Sequence, residues 1–133
     1  MDLDVALAHL RRNSHAVLCT VRESGVPQMS PVLVAVDDDG WVLVSTSSTS
    51  AKAANLRRDP RAWLCVFPDT FFGDWVQLEV HAEVVPVPEA LDGLVDYYRA
   101  VSGEHPDWQA YREAMVEDGR VLLRLDPVSA GPG

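Results

Sequence analysis

The segment STSSTSAKAANLRRDPR, Ser45 to Arg61, sets six consecutive hydroxyl side chains ahead of one lysine, an asparagine and three arginines. Residues of these types in this order could hold a phosphate. The hydroxyls of Thr46, Ser47 and Ser50 can donate to phosphate oxygens, and Lys52 supplies the compensating charge. Ser50 or Thr49 is a natural N-cap, the alanines fill a helix of about two turns, and Asp59-Pro60 stops it. Lys52 then falls in the first turn, with Asn55 three residues on along the same face. Backbone N–H groups and the positive dipole end would face an anion held in the turn. On spacing alone, a capped surface helix with a serine-rich approach remains the plain alternative.

Other chemistry is hard to assemble from this chain. His9, His15, His81 and His105 show no HxxxH or HExxH pairing, so no metal site is expected. His81 sits on the polar side of an alternating run and is expected at the surface or an interface. There is no GxSxG elbow, no phosphate-binding Walker loop, and no carboxylate pair spaced for acid and base roles. Cys19 and Cys65 each lie in an apolar run without CxxC spacing, which predicts buried, reduced thiols. Such a protein can still be an enzyme when a cofactor carries the reactivity.

The 133 residues suit one domain, 1–133, and the net charge of -9 argues against a nucleic-acid binder. That charge is uneven: residues 1–66 are neutral, with seven acids and seven bases, whereas 67–133 hold thirteen acids and four bases. Lys52, Arg57, Arg58 and Arg61 against Asp59 make a local positive excess that would attract a small anion. No apolar run approaches a membrane span, and MDLDVALAHLRR lacks the apolar centre of a secretory leader; a cytoplasmic location is expected.

The elements that would position these residues follow from periodicity. Leu3, Ala6, Leu7 and Leu10 mark one face of a short helix, as do Leu91, Leu94, Val95 and Tyr98, closed by Gly103. Trp108, Tyr111 and Met115 mark another. HAVLCTV, MSPVLVAV and WVLVST read as three sequential strands of an antiparallel meander, split by the turns at SGVPQ and DDDG. RAWLCVF, the alternating WVQLEVHAEVV and the late VLLRL bring the count to six. The tail VSAGPG is expected to fray. Six strands with inserted short helices predict a small, mainly β (α+β) barrel.

Several segments carry a specific resemblance: HAVLCTVRESGVPQMSPV, the strand ending VSTSS, AKAANLRRDPRA and YYRAVSGEHPDWQAYREAMVEDGRVLL. Over nearly the whole chain the sequence resembles the pyridoxamine-phosphate-oxidase-like split-barrel flavoproteins, in particular an actinobacterial branch using the deazaflavin coenzyme F420. The resemblance implies a homodimeric six-stranded antiparallel split β-barrel, with cofactor in a groove where subunits meet. It implies an oxidoreductase that passes a hydride from reduced F420 to an unsaturated or quinone-like small-molecule acceptor. An FMN-dependent enzyme on the same scaffold, or a non-catalytic flavin or deazaflavin binder, is the alternative.

Carried over by position, Lys52 resembles the lysine that contacts the cofactor phosphate, with Asn55 its helix-borne neighbour. Ser45, Thr46 and Ser47 match the strand end lining the cofactor chain, and Ser50 caps the helix. Ser30, Pro31 and Val32 match the segment whose backbone runs beside the tricyclic ring. Trp75 falls where relatives carry an aromatic residue; an ordinary edge-of-core tryptophan fits it equally. No residue stands out as a proton donor. Relatives place an arginine one or two residues before the lysine, where this chain has Ala51 and Ser50. The nearest cations that could compensate are Arg57, Arg58 and Arg61.

Overall fold

The computed structural model describes residues 1–131. Helix α1 (Leu3–Arg12) is followed by strands β1 (His15–Val21), β2 (Pro27–Leu33), β3 (Ala35–Val36) and β4 (Val42–Ser47). Helix α2 (Ala51–Arg58) leads into β5 (Arg61–Val66) and β6 (Val76–Pro86). Helices α3 (Leu91–Ser102) and α4 (Trp108–Glu117) precede β7 (Arg120–Gly131). The fold is mixed α/β: the strands form one antiparallel sheet in the order β2-β1-β5-β6-β7-β4-β3, curled into a half-barrel consistent with a split barrel.

Seven strands replace the expected six because MSPVLVAV does not run straight. Val34, 1% exposed, interrupts it and turns its N–H to the Ser14 carbonyl at 2.8 Å. The residues before it pair with β1, while Ala35 and Val36 pair with β4. The two halves of one apolar run therefore end on opposite edges of the sheet, and the expected three-strand meander does not exist. Hairpins β1–β2 and β3–β4 do form, the second over Asp37, whose Oδ1 accepts from the N–H groups of Asp39 and Trp41 at 2.9 Å.

Burial explains the sequence patterns. Strand β6 alternates because one face is covered: Val76, Leu78 and Val80 are buried while Gln77 and His81 are exposed. Strands β4 and β7 read as continuous apolar runs because both faces are covered. Val42, Val44, Leu123 and Leu125 enter the barrel interior with Leu18, Leu64 and Leu78. Leu43 and Leu122 face the other way, against Leu94 and Tyr111 under α3 and α4. The tail is ordered further than expected: Ser129, Ala130 and Gly131 lie opposite Glu79, Leu78 and Gln77. Pro132 and Gly133, the end of that tail, lie outside the described residues. Cys19 and Cys65 are free, as expected, but half-buried on the outer sheet face rather than buried. No helix among the described residues is long and apolar enough to cross a membrane.

Asp59 ends α2 and starts β5. Its carboxylate accepts from Arg61 Nε at 3.1 Å and Nη2 at 2.8 Å, and from the Arg61 backbone N–H at 3.1 Å. These bonds hold the carboxyl at about 2, below its ordinary 3.8. A depressed folded value means that the contribution is complete above the ordinary value and is lost as pH falls through about 2. A carbon-13 titration of the Asp59 carboxyl is expected to give a midpoint near 2, returning towards 3.8 in Arg61→Ala. An ordinary midpoint in the unaltered protein would show that the clamp does not form in solution.

Candidate functional site

Strand β4 ends in the hydroxyl segment, and its alternation divides that segment between two faces. Thr46 is buried on the same side as Val42 and Val44, whereas Ser45 and Ser47 lie on the opposite, half-buried side. The turn beyond is held by backbone bonds from Ser48 N–H to the Gly119 carbonyl at 2.9 Å and from Ser50 N–H to the Ser47 carbonyl at 3.1 Å. Ser47 Oγ and Thr49 Oγ1 are 3.0 Å apart. Ser50 is the N-cap of α2, its Oγ accepting from the Ala53 N–H at 3.2 Å. The turn thus presents hydroxyls and the first N–H groups of a capped helix on one side of the fold.

Helix α2 is fixed by a polar chain that runs into the barrel. Asn55 is buried; its Nδ2 donates to Thr20 Oγ1 at 3.0 Å, and its Oδ1 accepts from Arg58 Nη2 at 3.0 Å. Thr20, fully buried, donates to Gln28 Oε1 at 3.3 Å, and Arg58 also reaches the Val21 carbonyl at 2.7 Å. Helix α2 is thereby registered on the β1–β2 hairpin. Lys52 stands one turn before Asn55, half-buried, with no ion pair among the described residues. Asn55 itself is committed to the fold on both ends of its amide.

The second-strand segment alternates as well. Pro31 is exposed, and Val32 packs on the barrel core. Ser30, facing as Gln28 does, has a buried Oγ with no hydrogen-bond partner among the described residues. A buried hydroxyl without a partner is a place for a polar ligand atom or water. Trp75 lies away from α2. It precedes Val76, which pairs with Val66, whereas α2 leads into Arg61 at the other end of β5. That strand separates the two ends by ~17 Å at ~3.3 Å per residue. Trp75 lines a different hollow, with Cys65, Phe67, Phe71 and Phe72.

Of the three arginines only Arg57 reaches the hydroxyl turn; Arg58 and Arg61 are held elsewhere in the fold. Arg57 donates to the Ser48 carbonyl at 2.9 Å, Arg58 to Asn55 and Val21, and Arg61 pairs with Asp59. A second cation at the strand end is Arg120, which no sequence motif marks. It lies opposite Ser47 in the β4–β7 ladder and donates to Ser45 Oγ from Nη2 at 3.0 Å and Nε at 3.3 Å. No local signal ties Arg120 to Ser45, 75 positions away; only the register of the two strands does.

A phosphate fits this set: an unpaired lysine, a capped helix start and a row of hydroxyls. The sequence profile of the pyridoxamine 5'-phosphate oxidase family matches residues 4–131. The chain belongs to that family. Among solved structures, a conserved hypothetical protein of Mycobacterium tuberculosis is 27% identical, with a TM-score of 0.81 over 98% of this chain and 82% of that one. An F420 reductase is 21% identical, with a TM-score of 0.72 over 93% of this chain and 94% of its own. A pyridoxamine 5'-phosphate oxidase-related, FMN-binding protein of Nostoc punctiforme is 19% identical, with a TM-score of 0.70 over 98% and 82%. The last two show a shared fold. The solved structures that share this fold thus include an F420 reductase and an FMN-binding protein.

The two roles expected of α2 can be separated by mutation. Asn55→Ala should lower unfolding stability by ~1–3 kcal/mol, because it strips partners from buried groups. Lys52→Ala should stay within about 0.5 kcal/mol, since its ammonium makes no bond that holds the fold. Urea denaturation checks both, and an equal loss in the two variants would contradict the division.

Proposed function

We propose that this protein is an oxidoreductase that binds reduced coenzyme F420 and passes a hydride to an unsaturated or quinone-like organic acceptor. The observation that carries this reading is Lys52, a lysine without an ion pair beside a hydroxyl-lined turn and a capped helix start. Lys52 and the hydroxyls of Ser47 and Ser50 would hold the cofactor phosphate. The Ser30–Val32 backbone would lie along the ring, with the unpartnered Ser30 hydroxyl available to a polar ring atom or a bridging water. The bound deazaflavin supplies the hydride; the chain orients it and keeps water from the reacting face. Asn55 and Thr20 act indirectly, by fixing the helix that carries Lys52.

FMN is the second reading, favoured by the same feature, because it too is a phosphate-bearing tricycle. Fluorescence titration of ligand-free protein with each cofactor separates the two. Tight binding of F420, weakened about tenfold or more by Lys52→Ala with unfolding unchanged, is the expected result; the range follows from a charge-assisted hydrogen bond of ~1.5–3 kcal/mol. Binding of FMN alone would move the function to flavin chemistry. Unchanged F420 affinity in the variant would remove the phosphate assignment. Binding without reduction of any quinone or enone acceptor would make the protein a carrier.

The same proposal includes a homodimer. The outer face of the sheet places Met29, 65% exposed, in register with Cys19, and Cys19 with Trp63. The adjoining Cys65 row leads to Phe71 and Phe72, which is 93% exposed. An apolar surface of this kind supports an interface between copies, and a second copy seated there would bring a Trp75 towards the groove. Sedimentation equilibrium is expected to give a dimer that Met29→Asp with Phe72→Asp converts to monomer. A monomeric unaltered protein at micromolar concentration would contradict it.

A further inference from the structure

The half-buried arginines of this chain show one exception. Arg112 pairs with Asp92 at 2.7 Å and Arg124 with Glu83 at 3.0 Å. Arg120, also half-buried, has no carboxylate within ion-pair distance among the described residues, in a chain with twenty acids. Two of its five N–H donors meet a neutral serine hydroxyl, and its charge is left uncompensated. The guanidinium borders a hollow of about 300 Å³ between β4, β7 and the helices α3 and α4. Asp118 is on the rim of the same hollow, exposed and unpaired with Arg120.

The rest of the wall is aromatic and apolar. Tyr97 donates its O–H to the Leu33 carbonyl at 2.9 Å, and Tyr111 to the Leu94 carbonyl at 2.9 Å. Both phenols are therefore occupied and offer ring surface rather than donors. Burial pushes both above their ordinary range, against the pull of Arg120, so they stay neutral and do not repel an anion. Tyr98, Met115, Leu33 and Val101 continue the wall, with Ser102 its one further polar residue. One guanidinium balances one negative charge, and its fork matches a carboxylate with two parallel bonds. A volume of this size suits a small ring system.

We infer that this hollow binds a planar, aromatic monocarboxylate, its oxygens taken by Arg120 and Ser45 and its ring lying among Tyr97, Tyr98, Tyr111 and Met115. Leu33, whose carbonyl anchors Tyr97, directly follows Val32 of the segment assigned to the cofactor ring. The hollow is thus placed to hold the hydride acceptor. That role rests on the cofactor reading above; the binding itself does not.

The test uses the full, cofactor-free chain labelled with carbon-13 at the methionine methyls and titrated with 2-naphthoate. The methyl of Met115 is expected to shift saturably while those of Met1 and Met29 stay in place. Uncharged 2-naphthalenemethanol should bind at least tenfold more weakly than naphthoate. Arg120→Gln should abolish that preference, and Lys52→Ala should leave naphthoate affinity unchanged even where F420 binding is lost. The comparison of the two probes on unaltered protein decides the matter if Arg120→Gln does not fold. Equal affinity for both probes, shifts confined to Met1 or Met29, or undiminished naphthoate binding in a folded Arg120→Gln protein would each overturn the inference.

Discussion

A fully buried threonine hydroxyl is the constraint on which the geometry of the candidate site depends. Thr20 lies in β1 with no access to water, so its oxygen must be satisfied within the protein. It accepts from Asn55 and donates to Gln28, joining a helix and an edge strand that the sheet alone would not hold in register. Arg58 extends the chain from Asn55 to the end of β1. The bonds are worth little singly, yet breaking one strands a buried polar group, which costs more than the bond contributes. Their effect is positional: they fix the helix that carries Lys52 against the β1–β2 hairpin.

The same economy governs the barrel. One apolar run, broken at Val34, contributes both edges of the sheet, so the split in the barrel lies where that run crosses from β2 to β3. Tyr97 ties this crossing to α3 through the Leu33 carbonyl. The second small core, around Leu43, Leu94, Tyr111 and Leu122, lets the two late helices close one side of β4 and β7. The proposed cofactor site uses these joins, since regular sheet interior has every backbone group already paired.

What could be read directly from the chain was local. The four helices carry their spacing and their stops on their faces, with Ser50 capping, Asp59-Pro60 ending and Gly103 closing as their chemistry requires. Lys52 on a capped helix start was legible for the same reason. Lost were facts that depend on pairing between distant strands: the break at Val34, the zippered tail, and Arg120 delivered beside Ser45 by the register of β4 with β7. Residue type alone also misled about Asn55 and Arg58. Both have the polar groups of a binding site, and both spend them on a buried hydroxyl and a strand end. Thr46 and Ser45 are neighbours in sequence and on opposite faces of the strand, a separation that a row of hydroxyls conceals.

The central claim is that the turn from Ser47 to Lys52 and the Ser30–Val32 strand together form one cofactor groove. The most direct measurement is a backbone amide nuclear magnetic resonance map of the ligand-free protein as F420 is added. The account predicts that the largest shifts fall on residues 47–52 and 30–32, with the Phe67–Phe72 segment moving less. Shifts centred on the hollow at Phe67, Phe71 and Phe72, with the Ser47–Lys52 turn unmoved, would contradict it.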